Sequence, residues 1–163
     1  MSFAAELMAL GGKVFTASDA TTARDYIERL IGERGGPALA ARRPAVERLG
    51  LRGVQWQGDR PPAEAAIGIT QADYALADTG TLVLFASPGE GRALSLLPPI
   101  HVAVLEASRI LPGLNELLAR EPNFPERSSA MIFITGPSRT ADIESTLSVG
   151  VHGPGELHVV VLP

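Results

Sequence analysis

The sequence has no cysteine in its 163 residues. That excludes a disulfide, a thiol nucleophile, a zinc–thiolate site and iron–sulfur ligation by these side chains. Lysine is almost missing too. Of the 14 basic residues all but Lys13 are arginine, so Schiff-base or lysine–phosphate chemistry would rest on Lys13 alone. Aromatic residues make up 5%, which leaves the core to aliphatic side chains. A basic surplus is also lacking. Fourteen basic against 18 acidic residues give a net charge of −4, whereas nucleic-acid binding needs a clustered basic face; no nucleic-acid partner is expected. No apolar run reaches the ~20 residues of a membrane span. The first residues, MSFAAELMALGGKVF, carry Glu6 where a secretory leader is positively charged. The reading is a cytoplasmic chain with no membrane span.

What is present is ordinary for a globular protein, with 45% apolar and 20% charged residues. The length suits one domain over residues 1–163, with its motifs concentrated in 65–163. Residues 3–10 suit a short helix stopped by Gly11-Gly12, and 13–15 a strand. Thr21 and Thr22 can cap a helix running to about Arg34, with Tyr26, Ile27, Leu30 and Ile31 on its apolar face. Strands are predicted at 37–41 and 54–57, with a short helix at 44–49 and a loop at 58–62. Residues 74–77 and 82–86 flank Asp78-Thr79-Gly80-Thr81 as a hairpin, with Gly80 taking the positive φ of the turn. A surface loop follows at 87–92, a strand at 100–105 and a helix at 112–120. Residues 130–135 read as a buried strand, 136–140 as a turn, 141–147 as a helix and 157–162 as a closing strand. Alternating strands and helices predict an α/β three-layer sandwich, with a mostly parallel sheet plus an antiparallel hairpin.

Four constellations could carry chemistry. In the first, the strand at 130–135 enters Gly136-Pro137-Ser138-Arg139-Thr140 and then the predicted helix bearing Asp142 and Glu144. Open α/β sheets bind ligands outside the carboxyl ends of their strands, where helix amino termini favour anions. Ser138 and Thr140 offer hydroxyls, and Arg139 could clamp a carboxylate in bidentate fashion. A plain helix cap would also account for the Ser, Thr, Asp and Glu. The second is Gly150-Val151-His152-Gly153-Pro154, a histidine on backbone able to approach a ligand closely. It suits a general acid or base, or simply a tight loop. In the third, Pro98-Pro99-Ile100-His101, the histidine opens a strand, in a site or in a structural role. His158 lies inside the last strand and reads as structural or exposed. The fourth is the hairpin tip itself, where Thr79, Gly80 and Thr81 could line a pocket or merely turn the chain. Three histidines without helical pairing give no metal site.

Together these segments resemble a known family. Gly68-Ile69-Thr70-Gln71-Ala72-Asp73-Tyr74-Ala75-Leu76-Ala77-Asp78-Thr79-Gly80-Thr81 is similar to its G-I/V-T-x-A-x-x-A-I-A-E/D-T-G-T signature, with Asp78 where Glu is common. Leu97-Pro98-Pro99-Ile100-His101 resembles its L-P-x-x-H element, and the segments at 135–144 and 150–154 resemble two further motifs in the same order. The family is that of lactate-utilization protein C, the LUD domain. The resemblance implies a fold similar to sugar-phosphate isomerases and CoA transferases, and a role in oxidising L-lactate to pyruvate. It implies no intrinsic cofactor here, with iron–sulfur clusters on partner subunits. On that basis Arg139, Ser138 and the backbone at Gly136 are candidates to hold a small carboxylate or other anion. His101 and His152 are candidates for proton transfer, and Thr79, Gly80, Thr81, Pro137, Thr140, Asp142, Glu144 and Gly153 are further candidates for binding the substrate. Two other readings stay open. One is a non-catalytic metabolite-binding or assembly module for an iron–sulfur redox partner. The other is a sugar-phosphate or CoA-ester enzyme using Glu144 as its nucleophile. A homo-oligomer is compatible with all three.

Overall fold

The structure is a computed structural model that describes residues 2–86, 92–141, 147–149 and 152–163. Its elements run α1 (Phe3–Ala9), β1 (Lys13–Thr16), α2 (Ala20–Arg34), β2 (Ala38–Ala40), α3 (Pro44–Glu47), β3 (Val54–Trp56), β4 (Ile67–Gln71), β5 (Tyr74–Leu76), β6 (Thr81–Phe85), α4 (Ala93–Leu96), β7 (Ile100–Glu106), β8 (Ile110–Leu111), α5 (Leu114–Arg120), α6 (Phe124–Arg127), β9 (Met131–Ile134), β10 (Arg139–Ala141), β11 (Leu147–Val149) and β12 (Glu156–Leu162).

Six parallel strands form the central sheet in the order β1-β12-β7-β4-β2-β3. A parallel sheet is covered on both faces, so its strands read as continuous apolar runs. The runs IHVAVL and LHVVVL behave this way, alternating between two cores. Val102, Val104, Val160 and Leu162 pack with Ala23, Ile27 and Leu30 of α2 and with Ala45 and Val46 of α3. Ala103, Leu105, Leu157, Val159 and Val161 face the other way, against Phe3 and Leu7 of α1 and against Ala75, Leu82 and Leu84. The latter three belong to a second sheet, ordered β8-β5-β6-β9, whose outer face carries Tyr74, Leu76 and Val83 against Leu117 of α5. Helices, central sheet and second sheet make the three layers. The predicted hairpin is the β5–β6 pair, antiparallel with Tyr74 opposite Val83.

Several local expectations need correction. The cap of α2 is Asp19, whose carboxylate accepts from the Thr22 N–H at 2.7 Å. An aspartate one residue before the helix outcompetes the two threonines because its side chain reaches the third N–H of the first turn. Residues 130–135 do not form a buried central strand. β9 lies at the end of the second sheet, antiparallel to β6, and Phe133 is 46% exposed. Four apolar residues in a row cannot distinguish a central strand from such an edge. Where a helix is predicted over 141–147, Ala141 lies in β10 and Leu147 in β11, paired antiparallel with each other. The β10–β11 ladder pairs the two ends of that stretch with each other, so their backbone groups are satisfied across strands instead of along a helix. The surface loop expected at 87–92 falls almost wholly on 87–91, outside the described residues. α4, α6 and β8 are short elements that the sequence pattern did not separate from loops.

Candidate functional site

Where the second sheet meets the amino ends of β7 and β12, a cavity of about 200 Å³ opens between the layers. Its floor is His101, the second residue of β7, beside its register partner Leu157. Phe133, Ile134 and Thr135 close one side, Ser95 and Leu96 of α4 another. The mouth is formed by the turn Gly136-Pro137-Ser138 and by His152-Gly153-Pro154. These two loops are tied by the Ser138 N–H, which donates to the Pro154 carbonyl at 2.9 Å. Gly153 lies close enough that an added Cβ would stand 3.3 Å from Ser138 Cβ.

A glycine on β4 positions the wall formed by α4. A Cβ on Gly68 would lie 2.2 Å from the Leu94 carbonyl oxygen, so only a residue without a side chain lets α4 cross the strand. Gly68 is the register partner of His101 on β4. The close crossing therefore brings Ser95 and Leu96 over the histidine.

His101 is 1% exposed. Burial removes the solvation of an imidazolium, and its pKa falls from the usual 6.5 to about 4. At neutral pH it is uncharged. Nε2 lies 2.8 Å from the Thr70 hydroxyl, and Nδ1 is buried with no hydrogen-bond partner among the described residues. His152, by contrast, is exposed at the mouth.

The structure thus brings together His101, His152, Gly136, Pro137, Ser138 and Gly153. It separates the other candidates. Arg139 turns away, its Nη2 donating to the Leu10 carbonyl at 2.6 Å, beside Gly11. It is not among the residues lining the cavity. Thr140 sits in β10 opposite Ser148. With a strand following the turn, the helix amino terminus expected to favour an anion there is absent at 139–141, and no helix dipole acts at that position. Asp142 and Glu144 lie outside the described residues. Thr79, Gly80 and Thr81 form a turn packed on α1, not a wall of the cavity. They reach it through hydroxyls: Thr79 donates to Thr81 at 2.8 Å, and Thr81 lies 2.8 Å from Thr135.

Sequence reasoning missed Ser95, Leu96, Phe133 and Leu157 on the wall, and Thr70 behind it. Thr70 carried a signal, since it stands in the same motif as Gly68; Ser95 carried none.

The second buried histidine serves the opposite face. His158 Nδ1 lies 2.8 Å from the Tyr26 hydroxyl, and Nε2 lies 3.3 Å from Glu156, which Lys13 and Arg34 also contact at 2.9 and 2.7 Å. Burial lowers its pKa more than the Glu156 carboxylate raises it. The lone lysine is therefore an ion-pair partner at the sheet edge and is not among the residues lining the cavity. No described helix is long and apolar enough to cross a membrane. Among the described residues no three His, Cys, Asp or Glu side chains cluster to hold a metal. With no cysteine in the sequence, these residues do not fit an iron–sulfur cluster.

Comparison with known proteins adds three findings. A family model described as the LUD domain matches residues 59–162. Proteins named lactate utilization protein C are similar: that of Anoxybacillus flavithermus is 35% identical over 91% of this chain and 73% of its own length. That of Bacillus subtilis is 33% identical over 84% and 67%, and that of Halalkalibacterium halodurans 46% identical over 56% and 41%. The chain thus spans between two fifths and three quarters of the length of these relatives. A crystal structure of a DUF162 family protein from Deinococcus radiodurans superposes with a TM-score of 0.73 over 99% of this chain and 94% of that one, at 21% identity. At that identity the likeness speaks for the fold.

Proposed function

The chain belongs to the LUD domain family, and from that premise we propose that it serves lactate utilization as a cluster-free protein holding L-lactate or pyruvate between His101 and His152. Electrons would pass to iron–sulfur clusters on partner subunits. The name shared by its relatives supports the pathway. The observation that carries the site is convergence: three separated segments, at 101, 136–138 and 152–154, line one cavity. At about 200 Å³ it is smaller than the roughly 300–1,000 Å³ of sites for drug-sized ligands, which suits a three-carbon acid.

Roles follow from environment. Oxidising lactate to pyruvate breaks the O–H and C2–H bonds and releases two electrons and two protons; the C2 hydrogen and the two electrons would leave to the partner's redox centre, and the hydroxyl proton to a base on this chain. A base for the hydroxyl proton works best with a pKa near the working pH. His101, driven to about 4, is a poor base; His152 is assigned the role by its place at the mouth of the cavity. His101 holds the ligand by hydrogen bonding. Arg139 is assigned to the α1–β1 loop rather than to the substrate.

Calorimetric titration with L-lactate and with pyruvate, in the presence of the partner subunits, tests the reading. Expected are binding by the unmodified chain, at least tenfold weaker binding by His152→Ala and unchanged binding by Arg139→Ala. No heat with either acid would overturn the site and favour an assembly module that docks a redox partner without holding the metabolite.

A further inference from the structure

The cavity is apolar at its inner end and polar at its mouth. Leu157, 2% exposed, and Ile134 both pack with the apolar cluster between the two sheets and form its inner surface. Leu96 of α4 adds a third aliphatic side chain. Ser95 is 3% exposed and spends its hydroxyl hydrogen on the Arg92 carbonyl at 3.0 Å. Ser138 and His152 stand at the mouth.

Among the described residues no lysine or arginine lines the cavity. Arg139 is held at the Leu10 carbonyl. The stretches outside the described residues, 1, 87–91, 142–146 and 150–151, contain no lysine or arginine at all. A carboxylate carried to the inner end would lose its hydration with no cation to replace it, and an unpaired buried charge is costlier than any buried neutral group. The carboxylate of a bound acid therefore stays at the mouth, and the rest of the acid points inward.

Lactate and pyruvate leave that inner end partly empty. Beyond the carboxylate, a three-carbon acid has only C2, its oxygen and a methyl group. At roughly 30 Å³ for each water-sized group, these take up about half of the cavity's 200 Å³. An apolar wall facing a void forfeits its contacts outright.

We propose that the cavity takes 2-hydroxy and 2-oxo acids with an unbranched apolar side chain of two to four carbons, carboxylate outward and side chain inward against Leu96, Ile134 and Leu157. The inference rests on the reading of the cavity as the acid's site, and it makes lactate and pyruvate the smallest members of the class rather than the best-fitting.

Calorimetric titration with partner subunits present, run with pyruvate, 2-oxobutanoate, 2-oxopentanoate and 2-oxooctanoate, tests the class. Affinity is expected to rise about fourfold per added methylene, equal to about 0.8 kcal/mol, as far as 2-oxopentanoate. It should fall at 2-oxooctanoate, whose side chain outruns the space. The dicarboxylate 2-oxoglutarate has the same carbon chain as 2-oxopentanoate with a second charge at the inner end, and should bind at least tenfold more weakly than that acid. Ile134→Phe fills the inner end and should bring 2-oxopentanoate to within twofold of pyruvate. Leu96 is 42% exposed and lies outside the packed core, so Leu96→Ala opens the wall without the risk of unfolding and should narrow the gap between 2-oxopentanoate and 2-oxooctanoate at least threefold. Pyruvate bound tightest, or 2-oxoglutarate bound as tightly as 2-oxopentanoate, overturns the class and leaves the acid site standing. No heat from any of the acids overturns both.

Discussion

The Thr79-Gly80-Thr81 turn looks like a site motif in the sequence, and a pair of glycine substitutions shows whether it is a packing motif instead. Gly80 has φ +64, and a Cβ placed on it would lie 2.5 Å from Leu7 N, 2.8 Å from Glu6 C and 2.9 Å from Leu7 Cα. Those atoms are the backbone of α1, which cannot rotate aside as a side chain would. Gly50 has nearly the same angle, φ +61, and nothing within 4 Å of an added Cβ. Alanine at either position bears the left-handed penalty of about 1–2 kcal/mol. Only at Gly80 must α1 retreat by roughly an ångström, to restore ordinary contact, and overpacking of that kind costs about 1–3 kcal/mol more. The retreat would also unseat Leu7 and Phe3, which are 0% and 3% exposed. Gly80→Ala should therefore lose about 2–5 kcal/mol and Gly50→Ala about 1–2 kcal/mol, read from urea midpoints at constant slope. Equal losses would refute the claim that α1 sits hard on this turn and would return the motif to the list of candidate site residues.

Three further outcomes follow from the same structure. His101 has a folded pKa of about 4 against 6.5, so the unfolded chain binds more protons between those values and stability falls as pH falls through that window. The loss from His101 alone should be about 2 kcal/mol between pH 7.5 and pH 5, and His101→Gln should remove it from urea titrations at the two pH values. Arg139→Ala should cost under about 1 kcal/mol of stability, as expected for one exposed hydrogen bond to the Leu10 carbonyl. Glu156→Gln should lower the pKa of His158 further, because the carboxylate is the chief group now raising it. The proton shifts of His158 across a pH series check that sign, and a rise would show that the Glu156 carboxylate does not act on the ring as placed.

Much of the fold was legible because parallel strands buried on both faces leave long apolar runs, as in β7 and β12, and because α2 carries both an apolar face and a terminal glycine. The β5–β6 hairpin was legible from its turn residues. What the sequence hid was partnership. MIFI reads the same at a sheet's edge as at its centre. The 141–147 segment could be judged a helix only by ignoring that its two ends pair with each other as strands. His101 and His152 announced themselves by their glycine and proline surroundings, but nothing local told that Arg139 points at the Leu10 carbonyl.

The placement of the cavity has a cause in the topology. In an open parallel sheet with helices on both faces, ligands gather at the carboxyl ends of the strands, where helix amino termini converge. Here one face of the central sheet is covered by a second sheet instead. A sheet offers no strong dipole and no ring of free N–H groups, so that face provides no anion site of the helical kind. The gap it leaves is at the opposite end, where β9 runs out into Gly136 and β7 and β12 begin. Recognition there falls to individual side chains and loop backbone, with the buried neutral histidine tied to Thr70 on one wall and the 136–138 and 152–154 turns on another.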